Sequence, residues 1–218
     1  MNYTKLFINL DRSPERREKF DETWTRITAT DGNDLDNHPI LRRMVSYWNM
    51  NPKEHRAKCA CFLSHYRTLE YIVGLQLNHV IVCEDDAIQM NELPPPEVLG
   101  HYFCYLGGYF NNRIIKEGPL RNPDDFPISK QGLNPLDRSQ YRILMMVAYY
   151  IPSWKVAEQI LSWLDSCVRL RAMDCLLFGL PYPVNYYYPA LFVEDACETT
   201  IHTGLPRKKH PNTHYCLQ

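Results

Sequence analysis

No run of apolar residues in this sequence approaches the roughly 20 that a membrane-spanning helix needs. No hydrophobic leader stands before the first strand-like segment, since Met1 to Lys5 runs straight into it. A strong charge of either sign is also missing. The formal net charge is −1, which argues against a general nucleic-acid binder. There is no internal repeat and no low-complexity linker, and no heptad pattern calls for a coiled-coil partner, so a monomer is expected. Cysteine is not scarce, with 8 residues, but Cys59-x-Cys61 and Cys167 to Cys175 fit no common zinc spacing. We read them as reduced thiols in a cytoplasmic compartment.

What is present fits one folded unit. A chain of 218 residues can bury one sizeable core, so a single domain over residues 1–218 is expected. Lys5–Leu10 reads as a buried strand. Ser13, Pro14 and Glu15 then mark a helix start as N-cap, first position and first turn. Thr25–Thr30 alternates like a strand. Glu54–Leu77 has helical spacing, with Ala60, Leu63, Tyr66 and Leu69 or Tyr71 facing inward. Val80–Cys83, Tyr102–Leu106 and Arg142–Ile151 read as further strands, and Ser153 caps a helix from Trp154 to Val168. Asn111–Arg138, with four prolines, reads as a long loop that could act as a lid. Strands alternating with helices predict an α/β sandwich around a mostly parallel sheet.

The most informative stretch is "HVIVCEDDAIQM", His79 to Met90. An apolar run ends abruptly in Glu84, Asp85 and Asp86. Like charges repel at the end of a packed strand, and a bound cation would resolve that conflict. Residues two apart share a side of a strand, so Glu84 and Asp86 point together and Asp85 points away. Oxygen ligands suit Mg²⁺ or Mn²⁺. The plainer reading is an acidic loop after a strand.

Other candidates are weaker one by one. In "INLDRSPERR" a strand-to-helix turn offers an anion site, with Arg12, Arg16 and Arg17 beside it and Asp11 able to accept from a ribose or base. A solvated helix face explains the same residues. In "CACFLSHYRT", Cys61 and His65 lie four apart on a helix, although a lone His is more often structural. Downstream, Asp174, Glu194 and Asp195 could each act as a general base if brought beside the triplet, and His202 could complete a metal shell. The 12% aromatic content, including 15 Tyr, fits either a groove for sugars or bases or a core filled with tyrosine.

Taken in order, "LFINLDRSPERREKF", "KCACFLSHYRTLEYIV", "HVIVCEDDA", "AYYIPSWKVAEQIL", "AMDCLLF" and "YYYPALFVEDACETTI" resemble glycosyltransferase family 25. That family includes bacterial lipopolysaccharide galactosyltransferases and collagen galactosyltransferase domains, with related domains in large DNA viruses that glycosylate their capsids. The resemblance spans roughly Leu6 to Ile201. It implies a nucleotide-binding sandwich of the GT-A type and a nucleotide-diphosphate-sugar donor, UDP-sugars first. By the same resemblance, Asn9, Leu10, Asp11 and Arg12 would cradle the nucleotide and Asp85 would touch the ribose. Ser64 and His65 would lie close to the donor. Glu84 and Asp86 would hold Mn²⁺ or Mg²⁺, and Asp174 would sit near the acceptor. The sequence departs from the family where Gly-Glu-x-Gly-Cys is usual: here Ala57, Lys58, Cys59, Ala60 and Cys61 stand instead.

The expected activity is therefore metal-dependent transfer of a hexose or deoxyhexose to a hydroxyl of a glycan on lipid or protein. The resemblance implies inversion, which needs a base opposite the leaving group, with Asp174 first and Asp195 second. Two other classes stay open at this point. A metal-dependent phosphohydrolase or nuclease would want a second acidic cluster, which Glu194 and Asp195 could supply. A non-catalytic nucleotide- or glycan-binding module would need no acid at Asp174.

Overall fold

The computed structural model describes residues 2–45, 51–112, 130–139 and 141–195, with the side chains of 109–112 excepted. Its centre is a seven-stranded sheet. In sheet order the strands are β2 (Trp24–Thr28), β1 (Thr4–Asn9), β3 (Asn78–Glu84), β9 (Ala148–Ser153), β5 (Cys104–Tyr105), β10 (Asn185–Tyr188) and β7 (Gly132–Pro135). β1 pairs in parallel with both β2 and β3, and β10 with β5. β9 runs antiparallel to both β3 and β5, and β7 antiparallel to β10. The sheet is therefore mixed, where a mostly parallel one was expected. The reason lies in β9, which inserts between two strands that share a direction.

Strand β3 shows why the sequence folds this way. Val80 and Val82 face one side, Ile81 and Cys83 the other, and all four are fully buried. A strand covered on both faces has no polar alternation, which matches the apolar run in the sequence. On one face Leu6, Ile8, Val80, Val82, Tyr149 and Ile151 pack against helices α2 (Pro52–Gly74), α3 (Trp154–Ser166) and α4 (Met173–Leu177). On the other, Ile81, Cys83, Cys104 and Tyr150 meet Leu99, Leu191 and Phe192. Phe7 stacks on Phe20, which follows the 3-10 turn Pro14–Lys19.

Helix α2 begins where Asn51 accepts a hydrogen bond from the Glu54 amide, with Pro52 at the first position. Its buried face agrees with the expected one at Ala60 and Leu69 and differs elsewhere. Ala60, Ser64, His65, Thr68, Leu69 and Ile72 are buried, while Leu63 and Tyr66 are only partly covered and Tyr71 is exposed. Polar residues on the inward face are satisfied locally. Ser64 Oγ donates to Ala60 O at 2.7 Å and accepts from Thr30 N, and Thr68 Oγ1 donates to Ser64 O.

Three further expectations are corrected. Ser13 precedes a 3-10 turn and makes no side-chain cap, and neither does Ser153 before α3. Arg142–Ile151 is two strands, β8 (Tyr141–Leu144) and β9, split at Met145, whose φ is +64°. β8 pairs with β6 (Tyr109–Asn112), away from the main sheet. Within the expected lid, Gly132–Pro135 forms the edge strand β7; residues 113–129 lie outside the described residues. A last small sheet pairs β4 (Ala87–Gln89) with β11 (Phe192–Glu194), matching Ala87 to Glu194. Among the described residues no helix is long and apolar enough to cross a membrane.

Candidate active site

The carboxyl ends of β1 and β3 open onto one cavity of about 260 Å³. Ligands of open α/β sheets collect at such strand ends. Four other elements close around it. Cys61, Ser64 and His65 come from the middle of α2, Met145 and Met146 from the break before β9, Asp174 from the start of α4, and Glu194 from the end of β11. The β3–β9 pairing puts Ala148 opposite Cys83, and Glu84 N donates to Val147 O, so the break falls beside the acidic triplet. The β4–β11 pairing returns Glu194 to it, and Asp195 N donates to Asp86 O.

The triplet divides its work. Asp85 is 8% exposed and held at both oxygens: Oδ2 accepts from Asn9 Nδ2 at 2.8 Å and Oδ1 from Arg16 at 2.7 Å. Among the described residues, no Lys or Arg forms an ion pair with Glu84 or Asp86. Glu84 Oε1 lies 3.1 Å from His65 Nε2. Burial, with the charges of Glu194, Asp85 and Asp174, pushes the Glu84 carboxyl up to about 8. Burial and the neighbouring Glu84 and Glu194 raise Asp86 well above the carboxylate range, and its Oδ1 is buried with no hydrogen-bond partner among the described residues. A buried, unpartnered carboxylate oxygen among other acids is costly without positive charge. The oxygen donors of Glu84 and Asp86 fit a hard divalent cation, and such an ion would remove that cost.

His65 is 2% exposed, and burial lowers its pKa to about 4, so it is neutral near pH 7. Its Nδ1 lies 3.1 Å from Tyr149 Oη. A neutral imidazole carries one N–H. When Glu84 is ionised that proton sits on Nε2, and Tyr149 Oη then donates to Nδ1.

The other expected residues divide between the cavity and its support. Leu10 and Arg12 line it, and Arg12 Nε pairs with Asp31 at 2.6 Å. Asn9 is 1% exposed and lies behind it, donating to Ser13 O and Asp85 and accepting from Arg17 and Arg26. Asp11 points outward, 74% exposed at its side chain, and pairs with Arg17 and Arg26. Asp174 reaches the cavity with Oδ2 accepting from Met145 N at 3.0 Å and Oδ1 from Cys175 N. Asp195 is not among the lining residues, and its carboxylate pairs with Lys19. His202 lies outside the described residues. Sequence reasoning missed Met145, Met146 and Tyr149. No local signal marks them, because a methionine at positive φ looks like any strand residue.

The site is an acid-lined cavity at the strand ends of a mixed α/β sheet. Comparison with known proteins narrows the class. Residues 2–95 match the model of Glycosyltransferase family 25 (LPS biosynthesis protein), which bears out the resemblance read from the sequence. A "Glycosyltransferase 25 family member" of Drosophila melanogaster is 37% identical over 94 residues, covering 37% of this chain and 15% of the relative. One of the same name from Drosophila pseudoobscura pseudoobscura is 36% identical over 96 residues, again 37% of this chain and 15% of the relative. Both the matched family and the two relatives are named as glycosyltransferases. The chain thus spans about 15% of the length of the curated relatives it matches. The matched segment holds β1, α2, β3 and the acidic triplet, while Asp174 and Glu194 lie beyond it.

Proposed function

We propose that this chain is a metal-dependent glycosyltransferase that moves a hexose or deoxyhexose from a nucleotide diphosphate, UDP first, to a glycan hydroxyl with inversion. The observation that carries the reading is Asp86, whose buried, unpartnered Oδ1 stands beside Glu84 at a strand-end cavity. Glu84 and Asp86 would hold Mn²⁺ or Mg²⁺. The ion would supply Lewis-acid neutralisation of the departing diphosphate. The rest falls to the chain itself. Arg12 and Arg16 line the cavity on the β1 side and place positive charge where phosphates are received. Asn9 and Arg16 hold Asp85 in place, and Asp85 accepts from the ribose. Asp174 takes the proton of the acceptor hydroxyl. Asp195, paired with Lys19, then acts as a support for the β11 end.

A second reading has an observation in its favour. Glu194 joins Glu84, Asp86 and Asp174 in the cavity, which is the second acidic group a metal-dependent phosphohydrolase would want. One experiment separates the two. Thermal shift with UDP, GDP, CMP, dTDP and ADP, with and without Mn²⁺, reads binding to the native state. Product analysis with the matching nucleotide sugar follows. Mn²⁺-dependent stabilisation by one diphosphate, with sugar transferred to an acceptor and both lost in Asp86→Ala, supports the transferase. Release of sugar or phosphate at the same rate without acceptor supports the hydrolase. No shift with any nucleotide removes the nucleotide-sugar site.

A further inference from the structure

Cys61 takes no part in the reading above, yet it faces the same cavity. Its Sγ, a ring nitrogen of His65 and a carboxylate oxygen of Glu84 all lie within 4.8 Å of one another. We propose that Cys61, His65 and Glu84 form a second, softer metal site that binds Zn²⁺. Three features of the fold build it. Cys61 and His65 are one helical turn apart on α2, so their side chains project to the same side. Glu84 arrives from the end of β3, and its Oε1 lies 3.1 Å from His65 Nε2. Behind the ring, His65 Nδ1 lies 3.1 Å from the buried Tyr149 Oη.

That last contact does what a ligating histidine requires. A metal-bound Nε2 has no proton, so Nδ1 carries the N–H and donates it to Tyr149 Oη, which fixes tautomer and ring orientation. One sulfur, one nitrogen and one oxygen suit Zn²⁺ and disfavour Mg²⁺, which takes oxygen only. Three protein ligands on one wall leave a fourth position facing the cavity. Binding releases the Cys61 thiol proton to solvent, along with any proton held by Glu84. The linear sequence hides this site, because its ligands come from a helix and a strand rather than from a paired-cysteine motif.

The site itself stands apart from the transferase reading. One consequence rests on that reading: Glu84 is shared, so zinc withdraws it from the catalytic cation and slows transfer.

Co²⁺ added to the reduced, full-length protein is the direct probe. One equivalent should give a near-ultraviolet thiolate-to-cobalt band with visible bands of tetrahedral strength, and Zn²⁺ should displace it. C61S should abolish the band and weaken Zn²⁺ binding at least about tenfold, while C167S, away from the cavity, should keep it. X-ray absorption at the zinc edge of the wild-type protein needs no variant and should show one sulfur neighbour. Absence of the charge-transfer band in the wild type, its survival in C61S, or a zinc shell with no sulfur or with several would overturn the site. The D86N variant separates the two proposals. It should keep the cobalt–thiolate band while losing Mn²⁺-stimulated transfer; loss of the band there would overturn the three-ligand site, because Asp86 would then be needed to hold the ion.

Discussion

Asn9 Nδ2 donates to Asp85 Oδ2 at 2.8 Å, joining the end of β1 to the acidic triplet after β3. The same amide donates to Ser13 O, and its oxygen accepts from Arg17 and Arg26. One 1%-exposed side chain therefore fixes the turn after β1, two arginines and one carboxylate. Asn9→Ala strands these buried partners, and we expect a loss of about 2–3 kcal/mol. Asn9→Asp should be worse, because it removes both donors and sets a second carboxylate against Asp85. Urea unfolding of the two variants checks the order, and an Asn9→Asp protein as stable as the wild type would contradict it.

The pH dependence of the metal-free protein follows from Glu84. Its folded pKa is raised from the ordinary 4.5 to about 8, so its stabilising share is whole below 4.5 and is lost as pH rises toward 8. His65 works the other way, with its pKa lowered from 6.5 to about 4, so its share is whole above 6.5 and lost as pH falls toward 4. The two oppose each other at acid pH and leave a clear window between about 6.5 and 8. The acids facing Glu84 there are Asp85, Asp86, Asp174 and Glu194, with Arg16 as the compensating charge. In chelator the melting temperature should fall across that window, and Glu84→Gln should flatten the fall. Saturating Mn²⁺ should reverse it. A slope in Glu84→Gln equal to that of the wild type would rule out this origin.

Much of this was legible in the sequence. The apolar run of β3 and its acidic end announced a buried strand meeting a charged site, and the helical spacing from Glu54 announced α2, whose start at Asn51 and Pro52 was not read. The sheet's mixed character was not legible, because strand direction depends on which strand inserts where, and β9 lies far along the chain from both neighbours. Nor was the inward face of α2. Ser64, His65 and Thr68 are buried because each finds a hydrogen-bond partner, which hydropathy spacing does not record. The outward Asp11 shows the converse: a motif residue can support a neighbour's arginines without entering the cavity.

Gly108 holds the floor beneath Met145. Its φ is +122°, and a Cβ there would lie 2.7 Å from Met145 O and 2.8 Å from Ile143 Cγ2. Backbone and a packed side chain cannot both yield. Gly108→Ala should cost at least about 2 kcal/mol, adding backbone strain to the clash. Because Met145 borders the cavity, nucleotide affinity should fall as well. Thermal unfolding with and without UDP and Mn²⁺ reads both effects, and an unchanged melting temperature would show that the loop moves aside freely.

Asp174 carries two roles that one variant can separate. Its Oδ2 accepts from Met145 N, holding the break between β8 and β9 where φ is +64°. It is also the acid we propose as the base for the acceptor's proton. Asp174→Asn keeps the shape but has no basicity, and it can keep one acceptor oxygen for the Met145 amide. As the base, it should lower kcat by at least about a hundredfold. The stabilisation by UDP and Mn²⁺ should persist, because Glu84 and Asp86 are untouched. Should transfer stay within a few-fold of wild type, Asp174 is a clamp on Met145 alone. The proton would then have to leave through Glu194, another acid that lines the cavity.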